Sequence, residues 1–136
     1  MNLLNVCRNS SSNFWDDGGN SLRTLQKRLS ANTRNIVRKD SNILKEIFDL
    51  KSYPLSDEDC CYWDSTTLSL TLIIEEFIRK RKTKTYLDLG CGPYATLGCF
   101  VKKKFPEVNV TSVDINIERV YSAKKFASFN NLEISC

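Results

Sequence analysis

The chain has no histidine, one methionine and only three prolines among its 136 residues. Without histidine, a tetrahedral zinc site would have to be built from cysteines alone. No two of the six cysteines have the C-x-x-C spacing that is typical of such sites: Cys7, Cys60, Cys61, Cys91, Cys99 and Cys136. We therefore expect reduced, partly buried thiols and no metal site.

A long hydrophobic run is absent as well. Hydrophobic residues make up 41% of the chain, but no apolar stretch approaches the length of about 20 residues that crosses a bilayer. Residues 1–7 lack the basic start and the long apolar region of a secretory signal. These absences predict a soluble cytoplasmic protein that makes no membrane contact.

The excess of positive charge is also small. A net charge of +4 does not by itself define a nucleic-acid-binding protein. A basic run at 79–82 ends a predicted helix, where the helix dipole favours cations. Other basic residues lie in the N-terminal third, where they either contact phosphates or form solvated helix faces. Both interpretations stay open for Arg23, Lys27, Arg28, Arg34, Arg38 and Lys39.

Composition divides the chain into three parts. Residues 1–20 are rich in Asn, Ser, Gly and Asp, which predicts a disordered tail. Residues 21–59 are predicted to be a helical segment, because apolar residues recur at helical spacing from Leu22 to Leu29 and again from Ile43 to Phe48. Residues 60–136 are predicted to form part of an α/β domain.

Helical and strand patterns alternate in this last part. A helix capped by Asp64 or Ser65 comes first, and its predicted core stripe is Leu70, Ile73, Ile74, Phe77 and Ile78. Strands are predicted at 85–89 and 108–114, each followed by a helix, the second over about 117–129, and a third strand opens at 132–135. This alternation predicts a Rossmann-like parallel sheet with its first three strands in the order 3-2-1, preceded by short helices.

The turn after the first strand is the main candidate site. Gly90 and Gly92 allow the backbone to approach a ligand closely, and the pattern Gly90-x-Gly92-x-x-Ala95 also fits a dinucleotide turn. Asp88 would repel a diphosphate but suits a cationic ligand, and Pro93 removes an N–H that an anion would use. Asp114, at the end of the next strand, can accept hydrogen bonds from ribose hydroxyls in either case.

These residues resemble a known family. Residues 87–92 and 113–115 look like motif I and the following acidic motif of class I S-adenosylmethionine-dependent methyltransferases. The resemblance implies S-adenosylmethionine as cofactor, with the methionine half at the turn, the ribose held by an acid and the adenine against an apolar side chain. The implied cofactor-binding residues are Asp88, Gly90, Cys91, Gly92, Asp114 and Ile115.

Two further stretches, 63–68 and 123–132, look like the small methyltransferase group, whose members modify RNA bases or a glutamine of protein release factors. The chain departs from that group in two places. Phe126 stands where an asparagine is usual, and Tyr94 stands where many members have glycine, so that its phenol could narrow the mouth of the pocket. Burial statistics predict that Trp63 and Phe126 are core residues.

The family's sheet has about seven strands, and its catalytic Asn/Asp-Pro-Pro-Tyr loop follows the fourth. Residues 60–136 therefore resemble only the N-terminal half of the domain, and no catalytic residue is identified. We expect an N-terminal fragment or short product that binds cofactor and is inactive alone, with an RNA or protein substrate and an unknown oligomeric state. The alternatives are a non-catalytic nucleoside-binding or regulatory module and an NAD-dependent oxidoreductase.

Overall fold

The computed structural model describes residues 41–53 and 61–136, together with Lys27. The predicted tail at 1–20 and the helix expected to begin at Ser21 lie outside these residues, so the three-part division of the chain stays a prediction. The elements follow the order α1 (Ser41–Phe48), α2 (Ser65–Arg81), β1 (Thr85–Leu89), α3 (Thr96–Lys104), β2 (Asn109–Val113) and α4 (Ile117–Phe129). The α/β class and the alternation of elements are confirmed.

The sheet in the described residues has two parallel strands, whereas the sequence predicted three. Strands β1 and β2 pair from Thr85 opposite Asn109 to Leu89 opposite Val113. The predicted third strand makes one parallel bridge, in which Ser135 donates to the Val110 carbonyl at 2.9 Å. One bridge does not form a ladder, so neither the third strand nor the order 3-2-1 is observed.

The two faces of the sheet differ in burial. Alternate residues of a strand point to opposite faces, and the face that carries Asp88, Val110 and Ser112 lies buried beneath α3. The opposite face exposes Leu87 and Leu89 to 56% and 74%. Among the described residues no strand pairs with the outer edge of β1. The sheet therefore exposes both an apolar face and an edge of backbone N–H and C=O groups.

Helix α2 begins with a capping box, which confirms Asp64 as the N-cap. The Thr67 N–H donates to Oδ1 of Asp64 at 2.7 Å, while the Asp64 N–H donates to Oγ1 of Thr67 at 3.3 Å. The helix ends at Lys82, whose left-handed backbone (φ 50°) lets its N–H donate to the Ile78 carbonyl. No helix of the described residues is both long and apolar enough to cross a membrane.

The predicted core stripe of α2 is only partly right. Ile73 and Ile78 are buried as predicted, but Phe77 is 40% exposed. Leu68 and Thr71 are almost fully buried in its place, because the row at 68, 71 and 78 faces the rest of the core. The spacing identified an amphipathic helix correctly, and its rotation about its axis was predicted wrongly.

The segment around α1 packs against the last two helices. The rings of Phe48 and Phe100 meet edge to face at 6.1 Å, and Leu44 and Leu50 are buried in the same cluster. Buried Asn130, after α4, fixes the chain beyond α1: its Oδ1 accepts the Lys51 N–H at 2.7 Å and its Nδ2 donates to the Lys51 carbonyl at 3.2 Å. These hydrogen bonds join the segment after α1 to the end of α4.

Candidate functional site

The turn after β1 is held to β2 by its own backbone. The N–H groups of Gly90 and Cys91 both donate to the Val113 carbonyl, at 2.8 and 3.0 Å. Gly90 and Gly92 have φ of +70° and +66°, in the left-handed region where side chains with a Cβ are strained. A Cβ added at either glycine would meet no atom of the protein within 4 Å. Glycine is therefore required at these positions by the backbone conformation and not by crowding from neighbouring protein atoms.

Asp114 connects this turn to α4. Its Oδ2 accepts the Gly92 N–H and its Oδ1 accepts the Asn116 N–H, both at 2.9 Å. The backbone hydrogen bond from Asn116 is the main cause that lowers the pKa of Asp114, so this carboxyl is ionised at neutral pH. Each oxygen keeps a lone pair that can still accept a hydrogen bond from a ligand hydroxyl.

Asp88 lies below the turn and is 8% exposed. Its Oδ2 accepts the N–H of Gly98, in α3, at 3.1 Å. Burial raises the pKa of Asp88, and the hydrogen bond from Gly98 opposes that shift. The carboxyl group therefore joins β1 to α3 in addition to lining the cleft described below.

Gly98 allows close packing of α3 on the sheet. A Cβ at this position would overlap Oγ of Ser112 and would lie 3.3 Å from both Oδ2 of Asp88 and Cγ1 of Val110. The Ser112 side chain is fully buried, and its Oγ has no hydrogen-bond partner among the described residues. The unsatisfied hydroxyl of Ser112 and the buried carboxyl of Asp88 therefore both lie close to Gly98.

Replacing Ser112 by alanine is expected to leave stability unchanged or to raise it by up to about 1 kcal/mol. The substitution removes a buried polar atom that gains no hydrogen bond in the folded state but is hydrated in the unfolded chain. Urea denaturation of the wild-type chain and Ser112→Ala measures the difference. A loss of more than about 1 kcal/mol would show that the hydroxyl has a partner in solution.

An open cleft of about 550 Å³, counting its mouth, lies between the segment 61–64 and the turn 90–94. The segment is attached to α3, because Oγ1 of Thr96 donates to the Tyr62 carbonyl at 2.6 Å. Trp63 lines the cleft and is 1% exposed, and its Nε1 has no hydrogen-bond partner among the described residues. A donor without an acceptor thus lies beside the predicted cofactor turn.

Three aromatic rings close one side of this region. Tyr62 and Tyr94 have ring centroids 4.3 Å apart, and Phe126 meets Tyr94 edge to face at 5.4 Å. Both residues that depart from the small methyltransferase pattern, Tyr94 and Phe126, therefore pack against each other. Trp63 and Phe126 are buried, as predicted for core residues, and Tyr94 both lines the cleft and belongs to the core.

The predicted site residues fall into two groups. Asp88, Gly90, Cys91 and Gly92 line the cleft. Asp114 is outside its lining but is hydrogen bonded to the turn. Ile115 is fully exposed.

The sequence prediction missed several cleft residues. The contact between segment 61–64 and α3 brings these residues to the cleft. This contact joins residues that are distant in the sequence, so the spacing of neighbouring residues does not reveal it. The capping pattern at 64–67 was the one available signal, because it places the start of α2 near the turn. The lining residues absent from the predicted cofactor-binding set are Cys61, Tyr62, Trp63, Asp64, Thr67, Pro93, Tyr94, Thr96 and Leu97.

Cys91, the cysteine of the turn, is not a reactive thiolate. Burial, together with the charges of Asp88 and Asp114, raises the pKa of Cys91 to about 12. Cys61, Cys91, Cys99 and Cys136 are free thiols. Within residues 41–53 and 61–136, no group of three or more histidine, cysteine, aspartate or glutamate side chains is arranged to hold a metal ion.

Comparison with known proteins bears on the same residues. A protein-family model described as "Methyltransferase small domain" matches residues 64–136. The chain belongs to this family. The match begins at Asp64, the N-cap of α2, and covers the turn, Asp114 and the cleft residues from Asp64 onward. The resemblance to the small group of class I S-adenosylmethionine-dependent methyltransferases is thereby confirmed.

A curated relative of this chain is "Ribosomal RNA small subunit methyltransferase C" of Haemophilus ducreyi. The two are 33% identical over 89 residues, which cover 60% of this chain and 27% of the relative. The chain thus spans about a quarter of the length of that relative. No solved structure matches the chain.

Proposed function

We propose that this chain binds S-adenosylmethionine and supplies the cofactor-binding half of a methyltransferase that acts on RNA. The observation that carries the proposal is the state of the backbone N–H groups in the turn. Gly90 and Cys91 donate to the Val113 carbonyl, Gly92 donates to Asp114, and Pro93 has no N–H. Four successive residues therefore offer no donor to a ligand.

This arrangement disfavours a dinucleotide. A pyrophosphate at a glycine turn is bound by free backbone N–H groups together with the positive end of the following helix. Here the carboxyl of Asp88 lies beside the turn and adds a charge of the wrong sign. A ligand with a sulfonium and an ammonium group has the complementary charge, which supports S-adenosylmethionine over NAD.

The residues present fit the cofactor at further points. Asp114 is an ionised acceptor suited to two ribose hydroxyls. The exposed side chain of Ile115 would lose its contact with water beneath an adenine ring.

The bound cofactor would supply a methyl group on a sulfonium, for in-line attack by the acceptor atom. The contribution of this chain is alignment: the turn, Asp88 and Asp114 hold the donor in one orientation, and alignment is the main requirement of such a displacement. No residue of the chain is assigned to the methyl acceptor. We accordingly propose that the chain alone does not catalyse transfer.

The open part of the sheet supports a partial domain. Leu87, Leu89 and Val113 form an apolar face that water contacts, next to the unpaired edge of β1. The bridge at Ser135 lies on the other edge of the sheet, beside β2. We propose that the bridge marks the third strand of the order 3-2-1, and that further strands pair with β1 and cover the apolar face.

RNA is the proposed acceptor because the curated relative is named for ribosomal RNA. The first test is a thermal shift of the purified chain with S-adenosylmethionine and, separately, with NAD. S-adenosylmethionine is expected to raise the melting temperature in a concentration-dependent way, because a ligand that binds only the folded state stabilises it. Stabilisation by NAD and not by S-adenosylmethionine would contradict the proposal.

A further inference from the structure

Eight cationic side chains gather where α2 and α3 end. We call this surface the basic ridge; it consists of Arg79, Lys80, Arg81, Lys82, Lys84, Lys102, Lys103 and Lys104. All of these residues are exposed except Lys102, which is partly buried. The helix dipole accounts for roughly half an elementary charge at each helix end, far less than the ridge carries.

Three contacts bring the two helix ends together. Nζ of Lys104 lies 2.6 Å from Oε2 of Glu75, which joins α3 to α2. The guanidinium of Arg79 lies over the ring of Phe105 at 5.6 Å. The Lys84 carbonyl accepts the N–H of Asn109, the first residue of β2, at 2.9 Å. The cations therefore form one surface at the end of the sheet where the strands begin.

Some of these charges are already balanced. Glu75 pairs with Arg79 and Lys104, and Glu76 pairs with Lys80 at 2.6 Å. Lys103 lies 3.9 Å from Asp49.

The remaining cations of the ridge have no carboxylate partner within residues 41–53 and 61–136. Lys102 donates to two backbone carbonyls. Arg81, Lys82 and Lys84 have no carboxylate partner among the described residues, although all three are exposed. The end of α2 thus keeps an excess of positive charge.

The ridge is cationic and lacks large exposed apolar side chains, which favours binding of a polyanion over binding of a membrane surface. An interfacial helix needs an apolar face, and none of the exposed large hydrophobic side chains belongs to 79–84 or 102–104. The acids of the cleft region, Asp64, Asp88 and Asp114, lie at the opposite ends of the strands. From Lys84 to Gly90 the chain extends about 20 Å, at about 3.3 Å per residue, so a substrate that reaches both sites must be long.

We propose that the basic ridge binds backbone phosphates of the RNA whose methyl acceptor reaches the cleft. This inference rests on the proposed function, because it assumes that RNA is the substrate class. Lysine and arginine at phosphates release counterions, which gives sequence-independent affinity that falls steeply with salt. The ridge would position the RNA, and the cleft would select the reacting atom.

The test uses the full chain and a fluorescently labelled RNA hairpin, with binding followed by anisotropy over a salt series. The ridge variant is Arg81→Glu/Lys84→Glu, and the matched control is Lys124→Glu/Lys125→Glu, on the exposed side of α4, which changes the net charge equally. We expect the ridge variant to bind about tenfold more weakly at low salt, with a log–log salt slope shallower by about two. The control is expected to bind within about twofold of the wild-type chain.

Three results would overturn the inference. The first is an equal loss of RNA binding in both variants, and the second is wild-type RNA binding by both variants. The third is ridge-dependent binding to vesicles of phosphatidylcholine and phosphatidylserine without ridge-dependent binding to RNA. The thermal shift with S-adenosylmethionine separates this inference from the proposed function, because the ridge is distant from the cleft. If that thermal shift is absent and RNA binding depends on the ridge, the proposal of S-adenosylmethionine as cofactor is refuted, and the proposal that the ridge binds RNA is supported. If the thermal shift is present and both variants bind RNA as the wild-type chain does, only the proposal that the ridge binds RNA is refuted.

Discussion

Replacing Asp114 by alanine is expected to reduce the affinity for S-adenosylmethionine by about ten- to a hundredfold and to remove its thermal shift. The substitution deletes an ionised acceptor for the ribose and also releases the N–H groups of Gly92 and Asn116. Hydrogen bonds to charged groups contribute about 1.5–3 kcal/mol each, which corresponds to the predicted range of affinity. Isothermal calorimetry gives the affinity directly.

The control for this variant is Glu133→Ala, which removes one exposed carboxylate elsewhere in the same region. Glu133→Ala is expected to keep the wild-type affinity and thermal shift. Circular dichroism establishes that Asp114→Ala is folded at the temperature of the titration. A folded Asp114→Ala protein that binds S-adenosylmethionine as tightly as the wild-type chain would refute the assigned role of this carboxyl.

Replacing Gly98 by alanine is expected to destabilise the chain by about 1–3 kcal/mol. Two effects compete at this helical position. Alanine is the better helix former by about 1 kcal/mol, which favours the variant. However, its Cβ overlaps Oγ of Ser112 and presses on Asp88 and Val110, and relief of the overlap requires that the buried Ser112 side chain rotate or that α3 move away from the sheet. The packing cost exceeds the propensity gain because these neighbours belong to the sheet.

A double variant locates the cause of this loss. Gly98→Ala/Ser112→Ala removes the oxygen that the new Cβ would overlap, so it is expected to recover much of the stability lost in Gly98→Ala. Urea denaturation of the single and double variants gives the coupling energy between the two positions. A Gly98→Ala protein as stable as the wild-type chain would show that α3 does not pack as closely as the structure places it.

Local signals predicted the elements well. Strand β1 occupies the predicted residues, α4 has the predicted bounds, and the cap of α2 is Asp64, one of the two predicted candidates. Strand β2 is shorter than predicted by one residue at each end. These features depend on capping groups, apolar spacing and turn residues that lie within a few positions of each other, so the sequence displays them directly.

Features that depend on distant neighbours were predicted less well. The rotation of α2, which exposes Phe77, follows from the contact of this helix with the rest of the core. A strand exists only through hydrogen bonds to its neighbour, and the residues at 132–135 make a single bridge to β2. Sequence spacing cannot report either arrangement, because both are settled by long-range packing.

The candidate site shows the same division. The sequence identified the two glycines, Asp88 and Asp114, because their chemistry and order are specific to nucleoside-binding turns. It did not show that the N–H groups of Gly90, Cys91 and Gly92 are occupied, which is the argument for S-adenosylmethionine over a dinucleotide. That argument required the position of β2 beside the turn.

The sequence by itself thus determined the family, the glycine turn and the positions of the two carboxylates that we propose bind the cofactor. The tertiary structure decided which donors remain without partners, how Tyr94 and Phe126 pack together, and where the cations of the two helix ends meet. The physical reason is that a backbone turn and a helix cap form between chain neighbours. Hydrogen-bond occupancy, ring contacts and charge density instead depend on groups that are brought together only by folding.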